Sequence, residues 1–252
     1  MKYFVTTPDD DSYLWQIELL IQSFKNIGLD HELVVGISKS SSNPYPKNLQ
    51  KHQNKVEIDA LAGVCANRLE LLKKTMQKGI LGDSFAFIHA DTLIVKAIPD
   101  INNKNSILIH ENKEYPQCKQ WWEANKPIEW KNVGGNVILH KISFNVVACM
   151  SSLLNNENNN YKIEPILWNL VINSLKIPTT SYEMTMGLKE LKDTNFIHYN
   201  EPFPPHFDKR EFIGDIRIKL SSEIDPINAI KSIPNSIGGY IKIIADNYQK
   251  NI

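Results

Sequence analysis

Cysteine and arginine are scarce in this chain of 252 residues. The cysteines are Cys65, Cys118 and Cys149, odd in number and widely spaced, with no Cys-x-x-Cys pair. That excludes a disulfide framework and a cysteine-built zinc site, and it fits a reducing compartment. The arginines are Arg68, Arg210 and Arg217, so each guanidinium is worth tracing to a partner. Charge of one sign is also lacking: the formal net charge is zero. The strong basic footprint of a nucleic-acid binder is therefore absent, and no nucleic-acid partner is expected. No apolar run approaches the ~18 residues of a membrane span, so no integral membrane segment is expected. The start, Met1 to Thr7, is too short and polar-ended for a signal peptide. The expected location is the cytoplasm.

What is present is a full core. Hydrophobic residues make up 42% and aromatics 9%, the composition of a globular α/β chain of one large domain or two small ones. Tyr3-Phe4-Val5-Thr6 reads as a strand stopped by Pro8. Residues 12–27 follow with Leu14, Ile17, Leu20, Ile21, Phe24 and Ile27 at three- and four-residue steps, the period of a half-buried helix. Asp9, Asp10 and Asp11 stand at its N-terminal end, where acids cap a helix and solvate a loop, and Gly28 suits its C-terminal cap. Leu33 to Ile37 reads as a second strand. Residues 38–54 read as a polar loop around Pro44 and Pro46. Residues 58–78 read as a long helix with Leu61, Val64, Cys65, Leu69, Leu72 and Met76 on its buried side. Phe85-Ala86-Phe87-Ile88 is a third strand. Strand, helix, strand, helix, strand describes parallel βαβ units.

Beyond it, strands are expected over 106–109, 136–140 and 196–199, and helices over 144–154 and 164–175. The segment 155–160 reads as a loop and 201–205 as a Pro-rich turn. Helical spacing recurs from about residue 225 to 248, broken at Pro234 and Gly238-Gly239, as a core-covering helical extension. There is no internal repeat.

The chemistry gathers at Ile88-His89-Ala90-Asp91-Thr92-Leu93-Ile94, a polar turn between two apolar runs. In α/β proteins the carboxyl ends of strands are where ligands bind. A carboxylate that holds a divalent cation can in turn hold a diphosphate. The competing reading is a plain turn. Gly134-Gly135-Asn136 precedes the strand Val137-Ile138-Leu139, Glu164 opens a helix, and His198 lies in Phe196-Ile197-His198-Tyr199. Each also has a structural reading: a bulge, a helix-start acid, a satisfied histidine. Trp121, Trp122 and Trp130, flanked by polar residues, read as a hydrophobic lid or core edge, or else as a stacking platform for sugar rings.

This order resembles the GT-A fold glycosyltransferases, most of all the glycogenin and galactosyltransferase type. Their phrase Leu-Asp-Ala-Asp-Thr-Leu-Val is similar to residues 88–94 here. Their strand start Asn-x-Gly-Val-Leu-Leu is similar to residues 134–139, with Gly and Asn exchanged in order. The resemblance spans roughly residues 2–205 and implies a mixed, mostly parallel sheet flanked by helices. It implies a catalytic domain over 1–210 and a helical extension of it over 211–252. The implied activity is transfer of a hexose from a nucleotide diphosphate sugar, a UDP-sugar first of all, to a hydroxyl of a glycan, protein or small molecule, with retention of configuration.

The resemblance assigns Asp91 and His198 to a Mn²⁺ or Mg²⁺ ion, a chemically reasonable donor set for Mn²⁺. Thr6 and Thr7 would contact the base and ribose, Arg68 the diphosphate, and Gly134, Gly135 and Asn136 the sugar. Glu164 would hold a sugar hydroxyl or stabilise developing positive charge. At position 89 the chain departs from the pattern, which has Asp. His89 either ligates the metal through one nitrogen or hydrogen-bonds the ribose, and it makes the site one negative charge poorer. Two other classes stay open: a relative that binds a nucleotide-sugar or glycan without turnover, and a metal-dependent phosphohydrolase built on His89 and Asp91.

Overall fold

The computed structural model describes residues 1–42, 44–82, 84–94, 97–98, 107–109, 123, 137–140, 144–153, 163–177, 179–181 and 196–198. In chain order the strands are β1 (Lys2–Pro8), β2 (Leu33–Lys39), β3 (Lys55–Asp59), β4 (Ser84–Ile88), β5 (Thr92–Ile94), β6 (Ile107–Ile109), β7 (Val137–His140), β8 (Thr179–Ser181) and β9 (Phe196–His198). The helices are α1 (Asp11–Asn26), α2 (Lys47–Lys51), α3 (Val64–Gln77), α4 (Phe144–Leu153) and α5 (Ile163–Ser174). The main sheet has seven strands in the order β3-β2-β1-β4-β7-β6-β8. The β3-β2-β1-β4 half is parallel, and β7 runs antiparallel to both β4 and β6. β5 and β9 form a separate antiparallel pair. The expected mixed, mostly parallel α/β sheet is what the chain forms.

Alternation along the strands decides which side chain enters which core, because successive residues point to opposite faces. Phe4, Val34, Phe85 and Phe87 face α3, α4 and α5, packing with Leu69, Leu72, Met150 and Trp168. Tyr3, Val5, Val35, Ile37, Ala86 and Ile88 face α1, packing with Ile17, Leu20, Ile21 and Phe24. Both faces are apolar because helices cover both, the normal state of a parallel sheet. Gly36 in β2 has no room for a side chain. A Cβ there would sit 3.1 Å from Phe4 Cζ and 3.2 Å from Leu71 Cβ, both fully buried. Gly36→Ala is expected to overpack this core and cost about 1–3 kcal/mol. Denaturant unfolding measures it, and an unchanged midpoint would contradict the packing described.

Helix α1 keeps the expected stripe: Leu14, Ile17, Leu20, Ile21 and Phe24 are buried. It closes at Gly28, with φ of 72° and a Leu29 N–H to Phe24 C=O bond of 2.9 Å, the reversal that a left-handed glycine permits.

Pro8 ends β1 as expected, as its last residue, paired with Ser38. Two expectations need correction. Residues 38–54 are not one polar loop. Ser38 and Lys39 finish β2, and α2 buries Leu49 in the α1 core. The five-residue α2 exists because the buried Glu18 carboxylate accepts the Asn48 and Leu49 N–H groups at 3.0 and 2.6 Å, a cap supplied from another helix. Nor is 58–78 one helix. Val56 and Ile58 alternate into the core as part of β3, and α3 starts only after Gly63, whose φ of 101° breaks any helical run. As a result Leu61 and Val64, expected on the buried side, are 46% and 60% exposed. Cys65, Leu69 and Leu72 keep the buried role, and Leu71 joins them.

Candidate active site

Strand order reverses between β1 and β4. From β1 the chain steps outward to β2 and β3, then returns to the other side of β1 as β4. At such a switch point the loops leaving the carboxyl ends diverge and leave a crevice. Here the crevice is a cleft of about 230 Å³. Its floor is Thr6, Thr7 and Pro8 at the end of β1, Ser38 of β2 and Ile88 of β4. One wall is Tyr13 and Gln16 from the start of α1; the other is Val64, Asn67, Arg68 and Leu71 of α3. His89, Ala90 and Asp91 close the end. Five residues singled out in the sequence, Thr6, Thr7, Arg68, His89 and Asp91, therefore meet in one place.

Thr7 and Arg68 are held by their own neighbours. The Thr7 hydroxyl donates to the Pro8 carbonyl at 2.9 Å, which locks its rotamer. Arg68 lies with its guanidinium carbon 4.6 Å from the centre of the Phe87 ring, a cation–π contact that orients the fork. Glu70 of the same helix pairs with Lys73. Asn67 braces the start of α3 through its side chain, which bonds the Leu61 N–H at 2.7 Å and the Leu61 carbonyl at 3.1 Å. His89 Nδ1 lies 3.8 Å from Asp91 Oδ1, with the two side chains 21% and 12% exposed. Both are therefore largely enclosed yet open to the cleft.

The β5–β9 register sets Thr92 opposite His198. Opposed Cα atoms in an antiparallel pair are roughly 4.5–5.5 Å apart, so the backbone at position 198 runs beside the Asp91 turn. Among the described residues no group of three or more His, Cys, Asp or Glu is assembled around a cation position. What the turn does hold is a carboxylate, an imidazole, and a buried Thr92 hydroxyl with no hydrogen-bond partner. A carboxylate with imidazole nitrogen fits a divalent ion of the Mn²⁺ kind. Glu164 is the second residue of α5. Gly134, Gly135 and Asn136 lie outside the described residues, as do Trp121, Trp122, Trp130, the segment 155–160 and everything from 199 to 252. β7 opens at Val137, which pairs with Phe87, so the chain enters β7 at the cleft's edge of the sheet.

Within the acidic run 9–11, Asp9 does something other than cap and solvate. Asp9 is buried and ties β1 to the segment after β2: Oδ1 accepts the Ser40 N–H at 2.8 Å and the Ser40 hydroxyl at 2.6 Å, and Oδ2 accepts the Ser41 N–H at 2.7 Å. Burial alone would push its carboxyl up from 3.8. The bonds from Ser40 and Ser41 outweigh that and bring it down to about 2. A depressed carboxyl stabilises the fold above its unfolded value and loses that stabilisation as pH falls through the folded one. About 2 kcal/mol is thus expected to vanish between pH 5 and pH 2. Urea titrations of the wild type and Asp9→Asn should converge over that interval; parallel pH profiles would rule the tether out.

Tyr13 and Gln16 are among the cleft residues that sequence reading missed, with Ser38, Asn67 and Leu71. The first two stand three apart, on the same face of α1, and Tyr13 is 48% exposed. The signal was available: Tyr13 is an aromatic in the first turn lying off the stripe of Leu14, Ile17 and Ile21.

No family model matches the chain, and no curated protein matches it. Solved structures do. A glycosyltransferase involved in glycosylation of the major capsid of PBCV-1 aligns over 88% of this chain and 100% of its own, with a TM-score of 0.50 and 12% identity. The bifunctional glycosyltransferase WbbM, in its apo form, aligns over 96% of this chain with a TM-score of 0.53 and 12% identity. The chain has a GT-A-like fold. It spans about half of WbbM, 51% of that chain. The sheet and switch point of that fold are those already described. Among the described residues, no helix is long and apolar enough to cross a membrane.

Proposed function

We propose that the chain is a glycosyltransferase that binds a nucleotide diphosphate sugar, a UDP-sugar first of all, in the β1/β4 cleft and transfers its hexose to a hydroxyl acceptor. The observation that carries this reading is the convergence of Thr6, Thr7, Arg68, His89 and Asp91 at the switch point of a GT-A-like sheet. The base would lie between Tyr13 and Val64, stacked on the Tyr13 ring, with the Thr6–Thr7 backbone reading its edge. Arg68, oriented by Phe87, would clamp the diphosphate with paired N–H donors. Asp91 and His198, with His89 beside them, would hold Mn²⁺ or Mg²⁺. When bound, the ion supplies positive charge to the leaving diphosphate. Gly134, Gly135 and Asn136 would line the sugar, and Glu164 would hold a sugar hydroxyl or face the charge that develops at the anomeric carbon. Retention of configuration follows from the resemblance.

His89 in place of an acid favours one second reading, a relative that binds the donor without turnover. A screen of UDP- and GDP-sugars with Mn²⁺, followed by NMR of released or transferred sugar, separates the cases. Turnover of one donor class supports transfer. Saturable UDP binding with every donor intact supports the non-catalytic relative. Cleavage of a simple phosphate ester without nucleotide preference would point instead to a phosphohydrolase.

A further inference from the structure

Two buried hydroxyls outside the cleft hold the segment on which the cleft ends. Strand β4 is fixed in the main sheet by β1, with Ile88 paired to Val5. After the turn at 89–91 the chain leaves that sheet: among the described residues, β5 pairs with β9 alone. Buried amides that leave a sheet need other acceptors. Here two come from the parallel half. The Ile94 N–H donates to Ser23 Oγ of α1 at 3.2 Å, and the Ile98 N–H donates to Tyr3 Oη of β1 at 2.9 Å. Ser23 and Tyr3 are 3% and 2% exposed, and Ile94 and Ile98 lie in the α1-side core. The Ser23 hydroxyl donates to the Leu20 carbonyl of its own helix at 2.7 Å, which leaves its lone pairs for the Ile94 N–H. The Tyr3 ring stands edge-on to that of Phe24, with centres 5.0 Å apart.

The spacing along α1 links this clamp to the cleft. Gln16 lines the cleft wall and Asp91 its end. Ser23 follows Gln16 two helical turns later, on the same face and roughly 10 Å along the axis. Ile94 follows Asp91 by three residues, at most about 10 Å of extended chain. β5 packs against α1, so strand and helix keep step from the cleft to the Ser23–Ile94 bond. A slip of β5 along α1 would carry Asp91 away from the wall formed by Tyr13 and Gln16. We infer that Ser23 and Tyr3 are positioning residues of the cleft: their hydroxyls set the turn at 89–91 against the α1 wall without touching a ligand. The inference rests on the reading of the cleft as a nucleoside diphosphate site. Loss of either hydroxyl leaves a buried amide unpaired, and the segment gives way toward water to satisfy it.

The test uses Ser23→Ala, Tyr3→Phe and the double variant of the full chain, each of which removes a hydroxyl and little volume. Val171→Ala, which loosens the core on the other face of the sheet, is the control for general destabilisation. Calorimetry with Mn²⁺ reads UDP and uridine, and amide hydrogen exchange reads residues 88–98 without ligand. In the double variant UDP affinity is expected to fall about fivefold or more while uridine affinity holds, and exchange should quicken at Ile94, Ile98 and the turn. Val171→Ala should leave the UDP-to-uridine ratio as it is in the wild type. Wild-type UDP binding with the same ratio in the double variant overturns the positioning role and leaves the proposed function standing. A wild type that binds no UDP overturns the proposed function. Exchange then decides the clamp by itself: faster exchange confined to 88–98 supports it, and unchanged exchange at Ile94 and Ile98 overturns it.

Discussion

Asp91→Ala is expected to abolish cation-dependent UDP binding while leaving the fold intact. The carboxylate sits at the turn between β4 and β5, one residue before Thr92 and facing the His89 imidazole at 3.8 Å. In the proposed site Asp91 would be the negative ligand, and an imidazole alone holds a divalent ion poorly at neutral pH. The loss in affinity should reach about a hundredfold or more in the presence of Mn²⁺, the range over which single buried charge-assisted contacts act. The Cβ of alanine fits the turn, and the apolar packing of Ile88 and Ile94 on either side is untouched. Thermal unfolding should therefore move little. Calorimetry in Mn²⁺ and in EDTA reads the effect: wild-type affinity that drops in EDTA and variant affinity equal to that lower value. An unchanged Mn²⁺-supported affinity in the variant would remove Asp91 from the metal site.

Phe87→Ala is expected to cost about 3–5 kcal/mol of stability, the range for emptying an aromatic from a close-packed core. Phe87 is almost fully buried in the core on the α3 side, with its ring 5.4 Å from that of Phe4. Its second role is at the site, because the Arg68 guanidinium lies over it. The variant should therefore lose UDP affinity as well, through a guanidinium no longer held in place. Phe87→Leu separates the two effects. It keeps most of the volume and much of the stability but removes the aromatic face, so UDP affinity should fall in Phe87→Leu with a smaller loss of stability. If Phe87→Leu binds UDP as the wild type does, the ring does not orient Arg68.

The parallel half of the sheet was legible because it is locally encoded. Tyr3 to Val5, Leu33 to Ile37 and Phe85 to Ile88 are apolar runs that need no partner to be recognised, and α1 carries one clean stripe. Asp91, Arg68 and the Thr6–Thr7 pair were legible through a phrase and an order of elements. What was missed depends on contacts across the chain. The helix α2 has little periodicity of its own and forms where Glu18, about thirty residues earlier, caps it. The strand β3 was absorbed into a helix because Ile58, Leu61, Val64 and Cys65 mimic a helical period, and only the positive φ at Gly63 separates them. Asp9 read as one of three solvated acids, yet its carboxylate is filled by Ser40 and Ser41. Tyr13 was passed over because periodicity searches for the buried face, and the cleft is lined by the other one.

The central claim is that the β1/β4 cleft is a cation-assisted nucleoside diphosphate site. The most direct measurement is a calorimetric titration of UDP into the full chain with Mn²⁺ and again with EDTA, beside uridine as a ligand without phosphate. One UDP is expected to bind per chain, clearly more weakly in EDTA, with uridine binding weak and insensitive to Mn²⁺. Absence of UDP binding in Mn²⁺, or equal affinity in Mn²⁺ and EDTA, would contradict that claim.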